Sequence, residues 1–238
     1  MDECGIIQGV YSTLPEDLAY DQLVDFGDKL LIPAMNDMHV HAPQLGNMGI
    51  AMDMQLLPWL NTYIFPEETK FADEAYAETI YHSFVSELWR HGTMRAAVFA
   101  TVHTPATHIL ARAFNEAGMG ALIGLVGMDR HTPATLCNTP AEWAAGMQTL
   151  IESLASMPLV KPIITPRFIP SCTPEMLRSM GEMAKQTLLP VQSHLSENQQ
   201  EIAWVHELEP EATCYGDAYH RYGLFGQTPT LMAHCCYT

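Results

Sequence analysis

The sequence predicts an α/β fold built on a parallel sheet, and two observations support this prediction. Six short apolar runs recur along the chain, and each is nearly continuous in apolar character rather than alternating with polar residues. Such runs are typical of strands that are buried on both faces of a parallel sheet. Between the runs lie amphipathic stretches with recognisable helix ends. Strand–helix alternation of this kind indicates either a barrel or a doubly wound sheet.

The strand series begins after an irregular segment. Residues 1–29 are acidic and contain turn signals at 14–17 and 27–28, which predict a short lead-in with one or two strands. We expect this segment to be the remnant of a small β domain. The predicted strands lie at residues 30–32, 96–102, 121–126, 160–164, 189–193 and 230–233.

Five helices are predicted from the residues at their ends. The N-terminal signals are, in order, Asp73, a start near Ala106, a capping box of Thr139 with Glu142, Thr173 followed by Pro174, and Ser196. Gly92 and Gly118 follow the first two helices as C-terminal stops. The five helices therefore fit into the intervals between the predicted strands.

The number of predicted strands limits how much of a barrel these residues can form. A (β/α)8 barrel has eight strands and typically takes about 250 residues. Here the series begins near residue 30 of 238, and the sixth predicted strand reaches the last residues. As a barrel, residues 30–238 would hold only about the first six strand–helix units, and we expect the C-terminal portion to be lacking.

Composition excludes several classes of protein. The chain has 11 Lys and Arg against 27 Asp and Glu, a formal charge of −16, which disfavours binding to nucleic acid or to an anionic membrane. No apolar run reaches the roughly 18 residues of a membrane span, and the N-terminus lacks the features of a signal peptide. The six cysteines form no CxxC pair, which is typical of reduced thiols. We therefore expect a cytoplasmic protein.

Four of the eleven histidines form a candidate metal site. His39 and His41 alternate, and in an extended segment residues i and i+2 face the same side. His194 and His234 each end a strand-like run, and the C-terminal ends of parallel strands open on one face of a barrel. Imidazole is a common Zn²⁺ ligand. The alternative for an isolated HxH is a pair of surface histidines, and the other seven are expected to be solvated or locally hydrogen-bonded.

Glu197 is the candidate proton carrier. It lies three residues after His194, and a carboxylate beside a metal site can accept a proton from water and return it to a leaving amine. An acidic residue is also favoured in the first turn of a helix. Both interpretations can hold for the same residue.

Five stretches of the chain match a known family. They are residues 39–44 (HVHAPQ), 58–66 (PWLNTYIFP), 161–168 (KPIITPRF), 192–198 (QSHLSEN) and 232–235 (MAHC). On these stretches the chain resembles the metal-dependent amidohydrolase superfamily and, within it, the guanine deaminase branch. The resemblance is collinear over residues 30–238. The first two stretches and the PRF of the third are specific to that branch.

The resemblance implies a (β/α)8 TIM barrel of amidohydrolase type that holds one Zn²⁺ per chain, with iron as the other candidate ion. It implies hydrolysis of guanine at C2 to xanthine and ammonia, a small-molecule purine substrate, and a homodimer. The residues that it assigns are the metal ligands His39, His41, His194 and His234, the proton shuttle Glu197, the purine-binding residues Gln44, Arg167 and Phe168, and Trp59 and Leu60 beside the pocket. The donors of Gln and Arg suit the oxygen and ring nitrogens of a purine, and Phe suits its face.

The chain departs from the family pattern in two places. Ala34 stands where the family has Gly, and the family's remaining metal ligand, an Asp on the eighth strand, has no counterpart in these residues. Two alternatives therefore stay open. One is a related deaminase or chlorohydrolase that acts on another heterocycle, and the other is an inactive fragment or pseudoenzyme. Because one metal ligand and two strands have no counterpart here, we expect little deaminase turnover from these 238 residues alone.

Overall fold

The computed structural model describes residues 1–3 and 5–237, which fall into two units, Met1–Pro33 and Ala34–Thr238. The described residues of the first unit form no helix or strand, so the strands predicted before residue 30 and at residues 30–32 are wrong. The apolar run at 30–32 ends at Pro33, which has no N–H to donate to a β-ladder. The first strand lies just beyond it.

The second unit is built on parallel strands. Their bounds are β1 Met35–His41, β2 Thr93–Phe99, β3 Gly120–Gly124, β4 Val126–Gly127, β5 Val160–Pro162, β6 Thr165–Pro166, β7 Val191–Leu195 and β8 Thr230–His234. Every pairing among these strands is parallel, in the order β1-β2-β3-β5, with β4 beside β6 and β7 beside β8. A bridge between Ile164 and Val191 joins the β5–β6 region to β7. The predicted parallel α/β fold is confirmed.

Seven of the eight segments, β2 to β8, correspond to the five predicted strand positions after the first. β3 and β4 form one interrupted strand, since β3 pairs with β5 while β4 pairs with β6. β5 and β6 form another in the same way. The second unit therefore has six strand positions, counted over the described residues.

Helices connect the strands. Their bounds are α1 Leu56–Trp59, α2 Phe65–Thr69, α3 Glu74–Arg90, α4 Thr104–Glu116, α5 Pro140–Leu154, α6 Pro174–Thr187, α7 Gln199–Leu208 and α8 Tyr215–Arg221. A π-helical turn, Leu60–Ile64, joins α1 to α2, and 3₁₀ turns lie at Ala42–Asn47, Lys70–Ala72, Ala134–Leu136 and Ile169–Ser171. None of the helices formed by the described residues is both long and apolar enough to cross a bilayer.

Local side-chain chemistry explains where four of the eight helices begin. Asp73 accepts hydrogen bonds from the first turn of α3, Thr139 and Glu142 form the predicted capping box of α5, and Thr173 caps α6. The cap predicted at Ser196 is wrong. Asn198 caps α7 instead, because its side chain accepts from the N–H of Gln200 while Ser196 lies in the left-handed region with φ of 52°.

The core lies between the sheet and the helices that surround it. Strand residues such as Val98, Ile123 and Val191 belong to one buried cluster with side chains from α3 to α8. The largest fully buried side chains are Trp143, Tyr81, Tyr219, Phe71, Phe99 and Phe114. Because all the strands run parallel, the C-terminal ends of β1, β7 and β8 lie at the same end of the sheet.

Candidate active site

The candidate active site is a pocket at the C-terminal ends of the strands. All ten residues that the sequence singled out line it, together with Leu56. They are His39, His41, Gln44, Trp59, Leu60, Arg167, Phe168, His194, Glu197 and His234. These residues come from five separate parts of the chain, so their convergence is a property of the fold.

The four predicted imidazoles meet in this pocket. Nitrogen atoms of His39, His194 and His234 all lie within 4.8 Å of one another, and this triad is a group able to hold a metal ion. The Nε2 atom of His41 lies 3.0 Å from Nε2 of His194. β1 contributes two imidazoles because alternate residues of a strand face the same side.

Phe99, which the sequence analysis missed, forms an apolar wall of the histidine cluster. Its ring is stacked on His41 at a centroid distance of 4.5 Å, and it lies edge-on to His39 at 5.1 Å. Phe99 ends β2, and the only signal for it was this strand-end position beside β1.

The electrostatic surroundings keep these imidazoles neutral. Burial and the neighbouring His234 lower the pKa of His39 to about 4. Burial, together with the charges of neighbouring imidazoles, also holds the pKa of His41 and of His194 well below the usual value. Neutral imidazoles have a free lone pair, which is the form that binds a metal ion.

Hydrogen bonding orients one of these lone pairs. Nδ1 of His194 lies 2.6 Å from the carbonyl oxygen of Arg167. A carbonyl oxygen can only accept, so Nδ1 carries the proton and Nε2 turns its lone pair towards the cluster. Metal-binding histidines commonly have such a partner behind the ring. His41 differs, since its Nδ1 is buried without a hydrogen-bond partner in the described structure.

Taken together, the donor set fits a divalent metal ion. Three imidazoles have nitrogens within 4.8 Å of one another, and the fourth imidazole contacts one of them. A carboxylate is adjacent, because Oε2 of Glu197 lies 3.3 Å from Nε2 of His234. Imidazole nitrogen with a nearby carboxylate is a donor set that suits Zn²⁺ and several other first-row ions.

Glu197 combines proximity to the histidines with an altered acidity. Burial raises the pKa of its carboxyl group, and the positive charge of Arg167 partly opposes this effect. A carboxyl group whose pKa is raised towards neutrality exchanges protons more readily at physiological pH. Glu197 is therefore well suited to accept and return a proton beside the cluster.

The chain turns sharply where it presents Glu197 and His234. Ser196, His234 and Cys235 all have φ between 52° and 72°, in the left-handed region that side chains other than Gly rarely adopt. The N–H of Cys235 donates to the carbonyl of Leu195 at 2.8 Å, which joins the end of β8 to the end of β7. Strained backbone of this kind is concentrated at functional sites.

Arg167 is held by a partner that the sequence analysis missed. Its Nη1 donates to both carboxylate oxygens of Glu68, at 2.7 and 2.6 Å, and both side chains are almost fully buried. The guanidinium also lies over the ring of Phe65, 5.4 Å from its centroid. No sequence signal marked Glu68, because an acidic residue in a short helix is ordinarily exposed.

The remaining predicted residues form the sides of the pocket. The indole N–H of Trp59 donates to the carbonyl of Ile50, so this side chain offers mainly its apolar surface to the pocket. Leu60 and Phe168 are buried in a small apolar cluster that also contains Phe99. Gln44 also lines the pocket and makes no side-chain hydrogen bond within the described residues.

Comparison with known proteins gives consistent results. The model of the amidohydrolase family matches residues 30–238. Guanine deaminase of Dictyostelium discoideum is 42% identical over 219 residues, which are 90% of this chain and 48% of that protein. Guanine deaminase of Escherichia coli K12 is 38% identical over 213 residues, or 89% of this chain and 48% of that protein.

A solved structure is similar over nearly the whole chain. The guanine deaminase of C. acetobutylicum, crystallised with guanine bound in its active site, superposes with a TM-score of 0.94 at 44% identity. The match covers 97% of this chain and 55% of that one. The chain therefore spans about half the length of the relatives that it matches.

Proposed function

The chain belongs to the amidohydrolase family, and we propose that it contains the metal site and purine pocket of a guanine deaminase, which hydrolyses guanine at C2 to xanthine and ammonia. The observation that supports this proposal most directly is the meeting of four imidazoles and Glu197 in a pocket that Gln44 and Arg167 also line. Sequence identity of 38–42% to proteins named guanine deaminase supports the choice of substrate.

We propose that His39, His41, His194 and His234 hold the metal ion. Zn²⁺ is our first choice because imidazole is among its preferred ligands, and iron is the other candidate. A divalent ion held there supplies Lewis acidity, which lowers the pKa of water towards neutrality.

The chemistry then requires the movement of a proton. Hydrolysis forms a bond between the oxygen of water and C2 of the ring and breaks the bond from C2 to the amino nitrogen. A proton must leave the water and reach the departing nitrogen, so that ammonia is released. We assign both transfers to the carboxylate of Glu197, whose raised pKa and position 3.3 Å from His234 suit this task.

We assign substrate binding to the pocket residues other than the histidines and Glu197. Arg167 offers N–H donors to the carbonyl oxygen of the purine, and the amide of Gln44 can donate and accept at the ring nitrogens. Phe168, Trp59 and Leu60 offer apolar surface to the ring faces. The cytoplasmic location and the homodimer that we expect from the sequence stay predictions.

The test is a comparison of substrates with three readouts on the purified protein: bound metal, ligand binding and ammonia release. We expect ammonia release by these residues to be slow but faster with guanine than with adenine, cytosine or a chlorotriazine, and we expect a chelator to abolish it until Zn²⁺ is restored. Guanine as the poorest of the four would favour the related deaminase or chlorohydrolase. Binding of metal and guanine without release of ammonia would favour the inactive alternative.

A further inference from the structure

Glu68 is a buried carboxylate that does not itself line the pocket, yet it contacts a residue that does. Its side chain is 1% exposed, and the side chain of Arg167 is 3% exposed. Removing two charges from water is unfavourable, and an apolar pair of similar size is often as stable. Stability therefore gives little reason for a charged pair at this position.

The hydrogen bonds of Arg167 are unevenly distributed. Nη1 alone donates to both oxygens of Glu68. Over residues 1–3 and 5–237, neither Nε nor Nη2 donates to a protein acceptor, although Arg167 is one of the residues that line the pocket. A guanidinium has five N–H donors, so the ion pair immobilises the group while it leaves donors for a ligand.

We propose that Glu68 is a positioning residue, which holds the guanidinium of Arg167 as a fixed donor for a 6-oxopurine. The carbonyl oxygen of a 6-oxopurine accepts N–H donors, whereas the amino group of a 6-aminopurine presents N–H donors of its own. A rigid donor at this point therefore favours the 6-oxopurine and disfavours the 6-aminopurine. This inference rests on the proposed function.

Glu67 is a matched control in the same helix. It is also a buried carboxylate, at 7% exposure, but its contacts are with Lys70 and the hydroxyl of Tyr76 rather than with Arg167. A change that removes its charge tests the general effect of losing a buried acid in α2. It leaves the guanidinium and its partner in place.

The experiment measures the affinity of metal-loaded protein for guanine and for adenine by equilibrium dialysis. We expect Glu68→Gln to weaken guanine binding at least about tenfold while adenine affinity changes less than about threefold, because only the carbonyl acceptor depends on the fixed donor. We expect Glu67→Gln to leave the ratio of the two affinities unchanged. Circular dichroism verifies that each variant is folded.

A double substitution keeps the test decisive if Glu68→Gln alone fails to fold. The pair Glu68→Gln with Arg167→Met removes both buried charges, so neither partner is left uncompensated. We expect this double variant to fold and to lose the preference for guanine over adenine. A double variant that retains the preference would overturn the inference.

Other outcomes separate this inference from the proposed function. Equal guanine affinities of the unsubstituted protein and Glu68→Gln would overturn the role of Glu68 alone. Equal weakening of both purines would also overturn it, since that result indicates a general loss of structure. Failure of the unsubstituted protein to bind guanine would overturn the proposed function and this inference with it.

Discussion

The side chain of Glu201 accepts a hydrogen bond from the backbone N–H of Glu197, across 2.9 Å. The same oxygen accepts the N–H of Asn198 at 3.2 Å, and the other carboxylate oxygen accepts the hydroxyl of Tyr215 at 2.6 Å. Glu201 is fully buried, and burial raises the pKa of its carboxyl group. One side chain of α7 therefore fixes the loop that carries the proposed proton carrier.

We predict that Glu201→Gln reduces turnover while metal content is kept. The amide has one acceptor oxygen instead of two and no charge, so the loop N–H groups and the Tyr215 hydroxyl can no longer all donate to this side chain as they do now. We expect the free energy of unfolding to fall by about 1–3 kcal/mol. Ammonia release and urea denaturation measure the two effects. Glu207→Gln, on an exposed position of the same helix, is the control. Unchanged turnover in Glu201→Gln would refute a positioning role.

Glu197→Gln tests the proton transfer itself. The amide keeps the size of the side chain but cannot accept a proton from water, so we expect kcat to fall by roughly 10²–10⁴. Metal content and guanine affinity are expected to stay close to those of the unsubstituted protein. If kcat fell only slightly, another group would have to carry the proton.

His194→Gln is predicted to weaken metal binding. Loss of a residue behind a metal ligand commonly costs about 10–100-fold in affinity, so loss of a ligand is expected to cost at least as much. The measurement is zinc content after dialysis against a competing chelator. His91→Gln is the control, because the His91 side chain is 79% exposed and lies outside the pocket. Equal zinc retention by both variants would contradict the assignment of His194 as a ligand.

The parts of the fold that the sequence predicted depend on local chemistry. Thr139 with Glu142 and Thr173 before Pro174 determine helix starts through contacts a few residues apart, and both starts are confirmed. The convergence of His39 with His194 and His234 followed from their positions on parallel strands. In each case, one local pattern and one general rule of topology were enough.

The parts that it missed depend on contacts between distant segments or on a strand of unusual composition. Glu68 and Arg167 are 99 residues apart in the chain, and no pattern in either segment indicates the other. β1 was not predicted as a strand because it contains Asn36, Asp37 and two histidines. The search for apolar runs placed the first strand at residues 30–32 instead. A strand that supplies polar site residues lacks the continuous apolar character by which buried strands are recognised in a sequence.

Gly181 and Gly216 provide a matched test of packing between α6 and the end of α8. A Cβ added at Gly181 would lie 1.8 Å from the carbonyl oxygen of Tyr222, whereas at Gly216 the nearest atom is 3.8 Å away, on Phe225. We predict that Gly181→Ala lowers the free energy of unfolding by about 1–3 kcal/mol through overpacking. Gly216→Ala is expected to be neutral or to stabilise α8 by up to about 1 kcal/mol. Urea denaturation compares them, and equal stabilities would contradict the close approach at Gly181.

Cys172 is expected to resist alkylation in the folded protein. Its thiol is fully buried and donates to the carbonyl of Gly127, and burial raises its pKa to about 12. Because the thiolate is the reactive form, only about one molecule in 10,000 would be reactive at pH 8 even with access to the reagent. Mass spectrometry after iodoacetamide treatment should find Cys214, which is exposed, modified and Cys172 intact, until guanidinium unfolds the chain. Modification of both at similar rates under native conditions would mean that the segment after β6, which contains both Arg167 and Cys172, opens readily. Arg167 would then be held less rigidly than the proposed donor geometry requires.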